Sequence, residues 1–391
     1  MPRPRIDSID LLRGAVIVLM ALDHVRDYFH ADAFVYDPTD LGRTTAALFL
    51  TRWITHYCAP VFVFLAGMAA CLHGSGRSPR ELSGFLATRG AWLVVLELFV
   101  VSLFRTFNPA YPYFNLQVIW AIGAGMIVMS GLIHLDRRLL LAVAIVLVAG
   151  HNLLDAVHVP GGGLSAFLWA VLHEPARFDL GRIVVRVHYP LLPWIGIMAL
   201  GYGCGPWYRL SVLPETRRRR LLLAGSLATG LFVLLRAGNL YGDPAPWSPQ
   251  PSALFSFLSF LNVTKYPPSL LYTLMTLGPA LVGLALAERA GGRLARALVT
   301  FGRVPLFFYM AHILLIHVLA TIAAVATGYR AADMVLSGNV NDAPALAGYG
   351  FGLPTVYLVW LAVVLALYPG CRWFAAYKKS HQAARWWLSY L

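Results

Sequence analysis

The sequence predicts an all-α, polytopic integral membrane bundle of about ten transmembrane helices, forming a single domain over residues 1–391 with both termini cytoplasmic. Three observations predict it. Of the 391 residues, 59% are hydrophobic and 13% are charged, whereas soluble domains are about 45–50% apolar and about 25% charged. The apolar residues gather into runs of roughly 20, the length a spanning helix needs, and short polar connectors separate them. The excess of 31 Lys+Arg over 18 Asp+Glu, a net charge of +13, sorts by connector, as insertion into a membrane requires. A basic surplus distributed in this way does not point to nucleic acid.

The first run covers residues 9–29. Arg13, Asp23 and His24 interrupt it and no small-residue cleavage site follows, so it reads as a retained helix and not a secretory signal. Further spans are expected at residues 51–72, 90–107, 116–135, 139–157, 189–205, 221–240, 269–287, 304–327 and 354–374, with residues 164–172 as a short interfacial or re-entrant piece. The basic segments contain Arg3 and Arg5, then Arg77, Arg80 and Arg89, Arg137 and Arg138, Arg217 to Arg220, Arg289, Arg293 and Arg296, and a tail over residues 375–391. These are assigned to the cytoplasm. The four-arginine run reads as a solvated topology signal that also meets anionic lipid. Cys58, Cys71, Cys204 and Cys371 lack CxxC spacing and read as apolar packing residues. Gly201, Gly203 and Gly205 follow no predicted strand, so they do not form a phosphate cradle.

Ionisable residues inside a bilayer cost about 2.5–3.5 kcal/mol each near its centre and therefore mark function. Arg13 and Arg303 fall toward the inner side, His24, Glu97 and His312 near mid-depth, and His30, Arg52, His56, Lys265 and His317 toward the outer side. Arg13 and His24 are eleven residues apart, about three turns plus 20°, so they share one helix face about 16 Å apart along the axis. That length is comparable with the arm between the phosphates and the thioester of coenzyme A. Arginine binds phosphate bidentately without losing its charge, and imidazole accepts a proton near neutral pH. Asp23 or Asp27 would either orient the imidazole or pair with Arg26. Glu97 lies in an apolar stretch and must be protonated, paired or hydrated; it is either a second base or a structural partner. Arg52 and His56 share a face near the outer boundary, where they would either contact an acceptor or snorkel to the headgroups, the latter being preferred for Arg52. His312 and His317 stand about 140° apart around their helix, so they cannot serve one small site or one metal, and the deeper His312 is preferred. Lys265 precedes a helix start and would hold an anionic or sugar-like group, polarise a carbonyl, or snorkel. No metal is implied.

Several segments carry a resemblance: the stretch from Arg3 to His24, Pro60 to Met68, Leu116 to Ile119, Lys265 to Ser269, and Phe301 to His312. Together they resemble a bacterial branch of the heparan-α-glucosaminide N-acetyltransferase-like family, within the multi-pass transmembrane acyltransferases, whose first helix carries the same arginine-to-histidine spacing. The resemblance runs from residue 3 to about 320. It implies transfer of an acetyl group from cytoplasmic acetyl-CoA to a sugar or glycan acceptor across the cytoplasmic (inner) membrane. Arg13 would serve the donor and His24 the catalytic centre. The lysosomal member carries asparagine where His24 stands and places its catalytic histidine after an aromatic-rich stretch, which Asp27 to His30 resembles with shorter spacing. Either His24 or His30 is therefore the implied base. The candidate set is His24, His30, Asp23, Glu97 and His312 for catalysis and Arg13, Arg303 and Lys265 for the cofactor. A proton-coupled transporter and a non-catalytic acyl-CoA or lipid-binding protein are the competing readings. The paired, interrupted helices of two related halves that mark many transporters are not evident in the sequence.

Overall fold

A computed structural model describes residues 6–209, 211–381, 385 and 388; Arg3 and Arg5 lie outside the described residues, whereas Lys378, Lys379 and Arg385 of the expected basic tail lie within them. The chain folds into helices α1 (Asp7–Phe29), α2 (Ala46–Ile54), α3 (Cys58–Gly74), α4 (Pro79–Val95) and α5 (Ser102–Thr106). Strand β1 (Tyr113–Leu116) leads into α6 (Val118–Leu132), α7 (Arg137–Gly150) and α8 (Leu164–Leu172). Strands β2 (Ala176–Asp179) and β3 (Val184–Val187) precede α9 (Leu191–Cys204), α10 (Pro214–Ala237), α11 (Ala253–Leu261) and α12 (Leu270–Ala287). The chain continues through α13 (Gly292–Arg303), α14 (Pro305–Ala326) and α15 (Leu353–His381).

Each expected span falls on a helix. Among the described residues, seven helical segments are long and apolar enough to cross a membrane: Ala46–Gly74, Pro79–Thr106, Arg137–Leu154, Pro214–Ala237, Leu270–Ala287, Pro305–Ala326 and Leu353–His381. Helix α1 has the length but carries Asp10, Arg13, Asp23 and Arg26, while α6 and α9 extend only about 21–22 Å at 1.5 Å per residue. The piece at 164–172 is a nine-residue helix. The arginine run expected in a connector instead lies in the first two turns of α10.

Local chemistry explains several boundaries. Ser78 and Glu81 form a reciprocal capping box with Pro79 opening α4, and the Asp136 carboxylate accepts from the Arg138 and Leu139 amides to start α7. A π-helical turn, Leu96–Val101, follows α4.

Packing divides the chain into two units, residues 1–58, 100–112 and 287–391, and residues 59–99 and 113–286. In the first, α1 crosses α13 with backbones in contact. A Cβ on Gly14 would stand 1.8 Å from the Leu298 carbonyl oxygen, and one on Gly302 would stand 1.7 Å from that of Asp10. Only hydrogen fits at either position, the small-residue packing by which helices approach within membranes. Further along α1, Leu22, Val25, Tyr28 and Phe29 pack with Ile316 and Ala320 of α14 and with Val356 and Val363 of α15. The end of α1 is fastened to the start of α15: Phe351 N–H donates to the Phe29 carbonyl at 2.7 Å, and Ala31 N–H to the Phe351 carbonyl at 3.0 Å.

In the second unit, α3 and α9 meet in the same way, Gly67 against Met198 and Gly201 against Phe64. A small sheet of order β1-β3-β2, parallel between β1 and β3 and antiparallel between β2 and β3, interrupts an otherwise helical unit. Arg236, buried in α10, donates to the carbonyls of Phe260, Ala245, Ser259 and Asn262, which ties down the segment around α11.

The α1–α13 crossing yields a prediction. Gly302→Ala is expected to destabilise the protein by about 1–3 kcal/mol through overpacking. Gly84→Ala, where a Cβ meets nothing within 4 Å, is expected to be neutral or to stabilise by up to about 1 kcal/mol. Thermal unfolding in detergent checks both, and an unchanged midpoint for Gly302→Ala would contradict the crossing.

Candidate active site

Two buried histidines from different helices meet inside the first unit. His24 of α1 and His312 of α14 stack with ring centroids 5.0 Å apart and planes 13° from parallel. Nδ1 of His24 is 2.8 Å from Nε2 of His312. Chemistry fixes the direction of that bond. Nδ1 of His312 lies 2.7 Å from the Phe308 carbonyl oxygen, which can only accept, so this nitrogen carries the hydrogen. Nε2 of a neutral ring is then an acceptor, and Nδ1–H of His24 donates to it. The remaining nitrogen of His24, Nε2, accepts from the Arg105 guanidinium at 3.0 Å. Two neutral rings satisfy every contact in the chain from Arg105 through His24 and His312 to Phe308. Tyr309 sets its ring edge-on to both imidazoles, with centroids 6.0 Å and 5.6 Å away.

Arg105, which sequence reasoning missed, sits on the short helix α5 after the π-helical turn, and its carbonyl accepts the Tyr28 hydroxyl at 2.6 Å. The signal for it was a cation inside a predicted span, between Phe104 and Thr106.

The other candidates separate. Asp23 does not face the imidazole. Its carboxylate holds Arg52 at 2.8 and 2.9 Å, Arg26 at 3.0 Å and the Thr55 hydroxyl at 2.9 Å. Asp27 takes Arg26 from the other side at 2.6 Å. Arg52, expected to snorkel to the headgroups, is instead a partner in this partly buried network, because a carboxylate three helical turns along α1 from Arg13 reaches it first. His30 follows α1, where its Nδ1 accepts from the Asp32 amide at 3.2 Å and caps the 3-10 turn Ala31–Phe34. Six residues along, it is displaced from His24 by about 9 Å and about 240° around the axis.

Arg13 and Arg303 are brought together by acids. Arg13 donates to Asp10 at 3.0 Å and to the Gly302 carbonyl at 3.3 Å. Arg303 meets Asp7 at 3.0 Å and Asp10 at 3.8 Å. His317 turns away from His312, its two nitrogens each 2.9 Å from a carbonyl, Phe104 and Met334, with Phe107 stacked on it. Glu97 and Lys265 belong to the second unit. Glu97 is buried in the π-helical turn, and the Lys265 ammonium lies 5.1 Å from the centre of the Tyr266 ring.

These features define an integral, multi-pass membrane protein with a hydrogen-bonded histidine pair between α1 and α14. The profile of the heparan-alpha-glucosaminide N-acetyltransferase catalytic family matches residues 5–233, more than half of the chain, and the protein belongs to that family, one of membrane acetyltransferases. The match takes in Arg13, Asp23, His24, His30, Glu97 and Arg105; Lys265, Arg303 and His312 lie beyond it. No curated protein matches the chain.

The Asp23 network is testable as structure. Asp23→Ala removes a carboxylate from Arg52 and from Arg26, the latter with a side chain only 4% exposed. The expected cost approaches the about 3–5 kcal/mol of a broken buried pair. The double variant Asp23→Ala/Arg52→Ala should cost less than the sum of the singles. Denaturant unfolding of the three variants measures this, and strictly additive costs would refute the coupling.

Proposed function

We propose that the protein transfers an acetyl group from acetyl-CoA to a hydroxyl or amine of a sugar-like acceptor, as a multi-pass enzyme of the cytoplasmic (inner) membrane. His24 is the general base. The observation that carries this reading is the directed chain from Arg105 through His24 and His312 to the Phe308 carbonyl, in a member of an acetyltransferase family.

The acceptor presents its hydrogen to Nε2 of His24 in place of the Arg105 N–H. As the acceptor attacks the thioester carbonyl, Nε2 takes the proton, while His312 holds the opposite edge of the ring through Nδ1–H. Arg105, displaced from Nε2, donates to the carbonyl oxygen as negative charge grows there. Collapse of the intermediate breaks the carbon–sulfur bond, and the imidazolium returns its proton to the departing thiolate. The products are the acetylated acceptor and coenzyme A, with His24 restored.

The donor enters from the cytoplasm, where both termini lie, and its phosphates meet Arg13 and Arg303 at the start of α1. Arg13 and His24 are separated by about 16 Å on one face of a continuous helix. Because Asp7 and Asp10 already neutralise the two arginines, donor phosphate must displace part of that pairing.

Labelled acetyl-CoA with a panel of glycans and lipid-linked sugars tests the proposal. Wild type should label an acceptor, and His24→Ala should be slower by about 10²–10⁴-fold, the contribution of a positioned base. His30→Ala should retain most activity, and Arg13→Ala should raise KM for acetyl-CoA more than it lowers kcat. A dead His30→Ala beside an active His24→Ala would assign the base to His30 instead.

A further inference from the structure

Outside the acetyl-transfer site, the second unit gathers three metal-ligating side chains that the proposed reaction does not use. His151 follows α7 in the 3-10 turn His151–Leu154, Asp155 comes directly after that turn, and His173 caps α8. One ligand atom from each lies within 4.8 Å of the others. Both histidines are 3% exposed. Nε2 of His173 is 3.1 Å from Oδ1 of Asp155. Neither ring nitrogen of His151, nor Nδ1 of His173, has a hydrogen-bond partner of ordinary geometry. A neutral imidazole carries one donor and one lone pair, and burying them without well-aligned partners carries a desolvation cost.

We propose that His151, His173 and Asp155 bind a divalent transition-metal ion, zinc by the nature of the donors, which fastens the end of α7 to the end of α8. Ligands about 2.0–2.2 Å from a tetrahedral zinc stand about 3.3–3.6 Å from one another, so the observed His173–Asp155 separation needs only a small adjustment. The metal takes Nε2 of His173, Oδ1 of Asp155 and one nitrogen of His151; a fourth position is left for water. The outer support is already built. The Asn152 amide donates to Oδ2 of Asp155 at 2.8 Å while its own oxygen accepts the Leu270 amide at 3.0 Å, which turns Oδ1 toward the histidines. The Pro268 carbonyl acts on the His151 ring from a looser geometry and is the acceptor at hand for its second nitrogen, the arrangement metal-binding histidines commonly use. The spacings of four and eighteen residues fit no simple sequence motif, which is why the sequence alone implied no metal.

The test uses full-length protein purified in detergent through a tag without histidine, stripped with chelator and dialysed against zinc chloride. Elemental analysis is expected to give about one zinc per chain, with a raised thermal midpoint that chelator reverses. His151→Gln and His173→Gln, chosen because glutamine keeps volume and polarity, should bind only background zinc and show no zinc-dependent shift. Asn152→Ala should bind about 10–100-fold more weakly. His158→Ala, which alters a neighbouring exposed histidine paired with Glu174, should bind as wild type does. Absence of zinc from the wild type, or zinc retained by both glutamine variants, would overturn the proposal. Neither outcome bears on acetyl transfer.

Discussion

The hydrogen bond from His312 Nδ1 to the Phe308 carbonyl is the constraint from which the rest of the candidate site follows. It lies within one helix, between residues four apart, and its acceptor has no alternative role as a donor. Once that bond holds the hydrogen on Nδ1, His312 can only accept at Nε2, and His24 can only donate to it. The lone pair of His24 is thereby fixed on Nε2, the edge that Arg105 approaches. The logic is that of catalytic triads, in which a third group fixes the tautomer of the base. Here a neutral imidazole stands where a carboxylate often does. Inside a membrane-spanning bundle this avoids burying an anion, whose desolvation would outweigh much of its attraction for the imidazolium.

The same helix that carries His24 is held with little tolerance. At its start, Gly14 and Gly302 let α1 and α13 touch backbone to backbone, and this crossing is also where Arg13 reaches the Gly302 carbonyl. At its end, hydrogen bonds to Phe351 secure it to the start of α15. Between them, Asp23 gathers Arg26 and Arg52, so the acid next to His24 in sequence is spent on packing α1 against α2. Neighbours in sequence point about 100° apart on a helix, and that rotation separates the ion-pair network from the histidine pair.

What the sequence revealed depended on periodicity. Helical geometry along one run placed Arg13 and His24 on one face, and about 140° between His312 and His317 favoured one of them for the site; the structure pairs His312 with His24 and turns His317 to two carbonyls. Relations between runs were not legible. Arg105 meets His24 across 81 residues of chain, and Arg52 meets Asp23 across 29; no local pattern encodes either. The strands β1, β2 and β3 are four residues each, too short to show an alternation among longer apolar runs. Arg236 lies inside an expected span and matches no local pattern, yet it organises four carbonyls that only the fold assembles.

The direction of the histidine pair is open to direct observation. Solid-state NMR of protein with 15N-labelled histidine, reconstituted in lipid at neutral pH and assigned by comparison with His24→Ala and His312→Ala, reports which ring nitrogen carries hydrogen. The structure predicts that both rings are neutral with hydrogen on Nδ1, and that Nε2 of His24 is unprotonated. A His24 ring with hydrogen on Nε2 would reverse the relay and remove the lone pair on which the proposed base depends.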